Sequence, residues 1–193
     1  MKDDAEFQWG FFALVSYVPD PLGSFLDDLR RTLGTDSNAR AHITLLPPRS
    51  LRMPLEEATN TAGRILQSYS PFEIELRNVR QFPNYLYLDV GAGNAGVREL
   101  HETLNSGKLT SIEDFPFLPH VTIGGPLPAD AIEDAKTAAE EAWSWTDCSK
   151  RFTIDAVACL WAATLATPFD WRLACRHNLA EKTAVAAAVT NRT

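Results

Sequence analysis

The sequence predicts an α+β protein built from two similar halves, and three observations carry that expectation. Short apolar runs, several alternating with period two, are interleaved with stretches of helical period, so strands and helices follow one another along the chain. The order strand, helix, strand, helix, strand pair runs through once and then begins again. Each half also holds one strand of the form His-apolar-Thr-apolar, His42-Ile43-Thr44-Leu45 in the first and His120-Val121-Thr122-Ile123 in the second. Residue identity between the halves is low, so the duplication is one of layout. No linker separates them, which points to shared sheets.

The elements follow in order. Residues 7–18 (FQWGFFALVSYV) read as a buried strand stopped by Pro19-Asp20-Pro21. Residues 24–33 read as a helix, with Ser24 as N-cap, Asp27 closing a box-like start and Gly34 ending it. Residues 41–46 form a strand halted by Pro47-Pro48, and 55–69 carry a helical apolar pattern. Strands 72–79 and 85–90 are joined by a Pro83-Asn84 turn, and 94–104 are helical. A strand over 118–123 ends at Gly124-Gly125-Pro126, and 129–143 form an Ala- and acid-rich helix. Residues 152–161 and 169–175 read as a closing strand pair. The sequence is expected to form one two-lobed domain over 1–180, followed by a low-complexity, Ala-rich tail over 181–193.

Composition bounds the function. At 193 residues, with 45% hydrophobic and 22% charged residues, the chain can bury a full core. No run approaches the roughly 18 apolar residues of a membrane span. The start, Met1-Lys2-Asp3-Asp4, lacks the order of a secretion signal, so a cytoplasmic address is expected. The net charge of −7 argues against a protein that grips duplex DNA through many phosphates. Charge is uneven, however. Six arginines lie between Arg40 and Arg80 against four glutamates, whereas six acids lie between Asp130 and Asp147 against Lys136 alone. A locally positive cleft on an acidic, monomeric body fits a small phosphorylated ligand, a nucleotide or an RNA end. Cys148, Cys159 and Cys175 show neither a disulfide framework nor zinc spacing and read as small apolar residues.

The repeated tetrapeptide carries the chemistry. Strand side chains alternate between faces, so His and Thr two apart share one face about 6.5 Å apart. The intervening Ile43, Leu45, Val121 and Ile123 anchor the other face. Two imidazoles can supply a base and an acid near neutral pH, and two threonine hydroxyls can donate to phosphate oxygens. No acid–histidine cluster for a metal is seen, and no cofactor is expected. Arg49 and Arg52, just past the first motif, are candidate phosphate contacts, and Tyr85 and Tyr87 are candidate base-stacking residues. His101, between acidic neighbours, reads as a solvated helix residue, and Trp143, Trp145 and Trp161 read as packing residues.

The paired motif resembles the signature of the 2H phosphoesterase superfamily, and its flanks look like the 2′-5′ RNA ligase branch. The supporting flanks are Gly10-Phe11-Phe12-Ala13-Leu14, Tyr85-Leu86-Tyr87-Leu88-Asp89-Val90, and Phe115-Pro116-Phe117-Leu118-Pro119 leading into His120. The resemblance implies antiparallel sheets flanking a central cleft with helices outside. It also implies metal-independent action on 2′,3′-cyclic phosphates or 2′-5′ linkages. His42 and His120 would be the acid–base pair, with Thr44 and Thr122 as phosphate donors. The first motif runs into Leu46-Pro47-Pro48, a departure from the branch pattern. A non-catalytic nucleotide- or RNA-end-binding module and a 2′-5′ RNA ligase remain the alternatives.

Overall fold

The computed structural model describes residues 10–35, 39–165 and 170–180. Eight strands form one continuous antiparallel sheet: β1 (Phe11–Tyr17), β2 (His42–Ser50), β3 (Phe72–Phe82), β4 (Tyr85–Val90), β5 (His120–Gly124), β6 (Arg151–Ile154), β7 (Ala156–Ala162) and β8 (Arg172–Asn178). Their spatial order is β6-β3-β4-β5-β2-β1-β7-β8. Among the described residues, four α-helices accompany the sheet, α1 (Leu22–Thr32), α2 (Leu55–Leu66), α3 (Asn94–Leu104) and α4 (Ile132–Trp145), with a short 3-10 turn at Gly107–Leu109. The two expected sheets are thus the two halves of one sheet, joined at the β2–β5 seam. Each half has a helix inside its inner strand pair, α1 between β1 and β2, α3 between β4 and β5.

One face of the sheet is core. Ile43, Leu45, Leu86, Leu88, Val121 and Ile123 are fully buried on it, and α1 packs on β5 while α3 packs on β2. The apolar stripe Leu22, Leu26, Leu29 of α1 and the stripe Val97, Leu100, Leu104 of α3 supply the facing layer. The tail over 181–193, residues 7–9 of the first expected strand and Phe169 lie outside the described residues.

Three local readings are corrected. Helix α1 begins at Leu22, before Ser24, and it is the Asp20 carboxylate that accepts from the Ser24 amide (3.0 Å) and hydroxyl (2.6 Å). Strand β2 does not stop at Pro47-Pro48 but runs to Ser50, pairing with β1 through two register shifts. Its registered contact with β5 is at Ile43, so the later part of β2 needs no donors on that side and tolerates proline. The single strand expected over 152–161 is two: the chain leaves β6, paired with β3 in one half, and crosses at Asp155 to β7, paired with β1 in the other.

Candidate active site

Ile43 and Val121 are register partners across β2 and β5. Antiparallel geometry then sets His42 toward Thr122 and Thr44 toward His120 on the opposite, open face. The two imidazoles occupy a diagonal of this lattice, whose residues stand about 7–8 Å apart, wide enough for one phosphate between the rings. All four motif side chains are half-buried, whereas the neighbours that alternate with them are fully buried. The structure therefore brings His42, Thr44, His120 and Thr122 together on one face from two adjacent strands.

Both rings are held in the same way. His42 Nδ1 lies 2.6 Å from the Arg40 carbonyl oxygen, and His120 Nδ1 lies 2.7 Å from the Leu118 carbonyl oxygen, each two residues back. A carbonyl can only accept, so each Nδ1 carries hydrogen and each Nε2 is left for chemistry. The chain leading into each strand is also held alike. Arg30 of α1 donates to the Ala39 carbonyl at 2.5 Å, and Arg98 of α3 donates to the Phe117 carbonyl at 2.6 Å. Both carbonyls stand three residues before a motif histidine. Asp27 of α1 adds a bond from the Ala41 amide at 2.6 Å.

Burial pushes the His42 imidazole below its ordinary pKa; the Arg40 carbonyl opposes this, and the Arg30 charge and His120 add to the depression. Tyr17 meets the His42 ring edge-on at 6.4 Å, and Tyr87 meets the His120 ring edge-on at 5.2 Å.

Of the other sequence candidates, Tyr87 joins the site, as the register partner of Thr122. Tyr85 sits at the start of β4 with 41% of its surface exposed. Arg52 is an exposed loop residue lining, with Lys108, a cavity of about 410 Å³ that none of the four motif residues lines. Arg49 does not join the site. It pairs with Phe12 on the helix-covered side of the sheet, and only 7% of it is exposed. Its guanidinium donates to Glu113 (2.8 Å), Asn105 (2.6 Å) and the Leu109 carbonyl (2.9 Å), a structural clamp.

His101 also departs from its reading. It is buried, donates from Nδ1 to the Leu45 carbonyl (2.9 Å), stacks on Phe117 with centroids 3.6 Å apart, and lies 3.4 Å from Glu113. Trp143 is buried as expected, whereas Trp145 is 80% exposed.

Sequence reasoning missed Arg80 and Asp89. Asp89 is the register partner of His120, Arg80 that of Tyr87, and the two are 3.4 Å apart, so an ion pair borders the histidine face. Plain alternation along β3 would put Arg80 with Ile74 and Leu76 on the covered face; a register shift between Leu76 and Val79 turns it to the open one, and the signal for it was the two successive polar residues Arg77 and Asn78 before Val79.

This antiparallel α+β architecture is the fold of the LigT-like 2H phosphoesterases. The chain belongs to the 2′-5′ RNA ligase superfamily, whose family model matches residues 18–165. Among curated relatives, a protein of Geobacillus thermodenitrificans provisionally named a phosphoesterase is 32% identical over 105 residues, 49% of this chain and 60% of its own length. A Geobacillus kaustophilus protein of the same provisional name is 27% identical over 134 residues, 64% of this chain and 73% of its own. The chain thus spans about three-fifths of the first of these relatives. Among solved structures, E. coli LigT complexed with 3′-AMP matches with a TM-score of 0.59 at 16% identity, covering 91% of this chain and 100% of that one. A Thermus thermophilus protein matches at 0.61 and 17% identity, covering 89% and 99%. Among the described residues no helix is long and apolar enough to cross a membrane.

Proposed function

We propose that this protein hydrolyses a phosphodiester of a small nucleotide or an RNA end, with 2′,3′-cyclic phosphates and 2′-5′ linkages as the substrate classes, through proton exchange by His42 and His120. The observation that carries the reading is the cross-strand diagonal of two imidazoles with identical Nδ1 bonds, each beside the other strand's threonine. The depressed pKa of His42 keeps that ring neutral near pH 7 and gives it the role of base.

In this reading His42 Nε2 takes a proton from water as the water oxygen attacks phosphorus. His120, protonated, gives its Nε2 proton to the ribose oxygen as the old P–O bond breaks. The reverse reaction, attack by a ribose hydroxyl, uses the same groups with exchanged roles. Thr44 and Thr122 donate to the non-bridging oxygens, which bear more charge in the transition state than in the substrate. Arg40, in the loop leading into β2 and seated over the Tyr17 ring, adds positive charge beside His42 for an anionic substrate, whereas the charge of Arg80 is paired with Asp89. The complexes of E. coli LigT with 3′-AMP and with ATP support a nucleotide ligand for this fold.

The test is a screen of 2′,3′-cyclic nucleotides, 2′-5′ dinucleotides and cyclic-phosphate-ended oligonucleotides in excess chelator. Turnover of at least one class, lost in His42→Ala, is expected. Tight binding of these ligands with no turnover would instead favour a binding module, and turnover restored only by a divalent ion would refute the proton-transfer mechanism.

A further inference from the structure

On the helix-covered face of the sheet, away from the two motif histidines, Cys159 of β7 lies directly opposite Cys175 of β8, and His177 lies two residues further along β8. Cys159 pairs on its other side with Leu14, a fully buried core residue, which fixes this face as the covered one. The two sulfurs and a nitrogen of the imidazole all lie within 4.8 Å of one another. Cys175 Sγ is 3.4 Å from His177 Nε2, which also reaches the Thr59 carbonyl oxygen of α2 at 3.1 Å. The imidazole packs on Gly63 of α2, where a Cβ would stand 2.6 Å from His177 Cε1, so the glycine keeps the helix close to the ring. Cys159 is fully buried and its two partners are half-buried.

We propose that Cys159, Cys175 and His177 form a three-ligand site for a zinc ion, which ties α2 to the β8 edge of the sheet. Two sulfurs and an imidazole nitrogen are the donor set zinc prefers, and a zinc tetrahedron has ligand–ligand edges of about 3.5–3.8 Å. The Cys175–His177 separation already matches such an edge, and the remaining approach is a side-chain adjustment. The ion binds as Zn²⁺ plus two thiols and one neutral imidazole, giving a bis-thiolate complex and releasing about two protons. The imidazole hydrogen moves to Nδ1 as Nε2 turns from the Thr59 carbonyl to the metal, and a fourth position is left open. Spacing along the sequence did not reveal the site, because its ligands come from two strands.

The experiment is a titration of the reduced full chain with Co²⁺ and then Zn²⁺. Expected are one equivalent of Co²⁺ with a thiolate-to-cobalt charge-transfer band, displacement of that band by Zn²⁺, and a rise in Tm on zinc loading. Calorimetry in buffers of different ionisation enthalpy should show the proton release. Cys175→Ser and His177→Ala, on the exposed edge strand, should each weaken binding at least tenfold, while Cys148→Ser, outside the cluster, should not. Because the site is across the sheet from His42 and His120, brief chelation should lower Tm and leave any phosphoesterase turnover in place. The proposal is overturned by the absence of a charge-transfer band in the reduced protein. It is equally overturned by a band that survives Cys175→Ser, or by a Cys159–Cys175 disulfide forming readily in a protein that takes up no metal.

Discussion

Ile43 of β2 lies directly opposite Val121 of β5, and the seam between the two halves of the sheet runs through this pair. Both side chains are fully buried, so the residues on either side of each are committed to the open face. The core pair therefore sets the register of the site: a one-residue slip of either strand would turn its own histidine and threonine into the core and separate them from the other pair.

From that shared register follows strong coupling of the two histidines. His42→Ala and His120→Ala should each remove most turnover, and the double variant should be little worse than either, because groups acting as one unit are strongly non-additive. Thr44→Ala and Thr122→Ala should cost less, on the order of ten- to a thousandfold in kcat, each removing one donor to transition-state charge. Initial rates on a responsive substrate check both; near-normal turnover in His120→Ala would end the two-histidine mechanism.

The Arg30–Ala39 bond gives a kinetic signature. Catalysis needs one neutral and one protonated imidazole, so kcat/KM should be bell-shaped, with apparent pKa values belonging to the coupled pair. Arg30 both tethers the Ala39 carbonyl and lowers the His42 pKa through its charge. Arg30→Met should raise the lower apparent pKa and narrow the bell. Arg30→Lys keeps the charge, so it should reduce kcat while moving that limb less. A pH–rate profile for the two variants separates positioning from electrostatics, and identical profiles would remove Arg30 from the account.

Glu113 joins the loop before β5 to the buried face, accepting from Arg49 at 2.8 Å and lying 3.4 Å from His101. The side chain of Arg49 is 5% exposed and that of Glu113 is 19% exposed. Glu113→Ala would leave the guanidinium buried without its counter-charge. The expected loss is about 3 kcal/mol, the low end of the range for breaking a buried pair, since Asn105 and the Leu109 carbonyl still accept. Urea denaturation of the variant should show this as a lowered midpoint with little change in m.

The sequence and the structure agree where a single period decides the element. Strand β4 and helix α3 have the bounds their patterns predict, because alternation and a clear apolar stripe leave one solution. The four motif residues were legible because two strands repeat one pattern, and the seam places the repeats side by side. Arg49 was misread because Pro47-Pro48 looked like a strand stop. In fact β2 continues there, and Arg49 falls on the covered face. His101 was misread because its acidic neighbours in sequence say nothing of Phe117 and Glu113, which a distant loop brings onto it. The break at Asp155 was invisible because buried residues run on either side of it, Phe152 and Ile154 before, Ala156 to Cys159 after.

His42 also ties folding to pH. Its pKa is depressed in the native protein, first by burial and then by the Arg30 and His120 charges. Unfolding restores the ordinary value of about 6.5, so below that pH the unfolded chain binds a proton that the native ring refuses. Above it both states are neutral at this ring, and it contributes no pH dependence. As pH falls from about 6.5 toward the native pKa, stability should therefore decline, by about 1.4 kcal/mol for each unit of depression. Below the native pKa the decline should level off. His42→Gln has no proton to gain and should lack this slope. Urea denaturation of both proteins at pH 8 and at pH 5 checks the sign. The variant should gain on the parent as the pH drops. A parent that gains on His42→Gln toward acid would mean that the native ring favours its proton and cannot be the neutral base assigned to it.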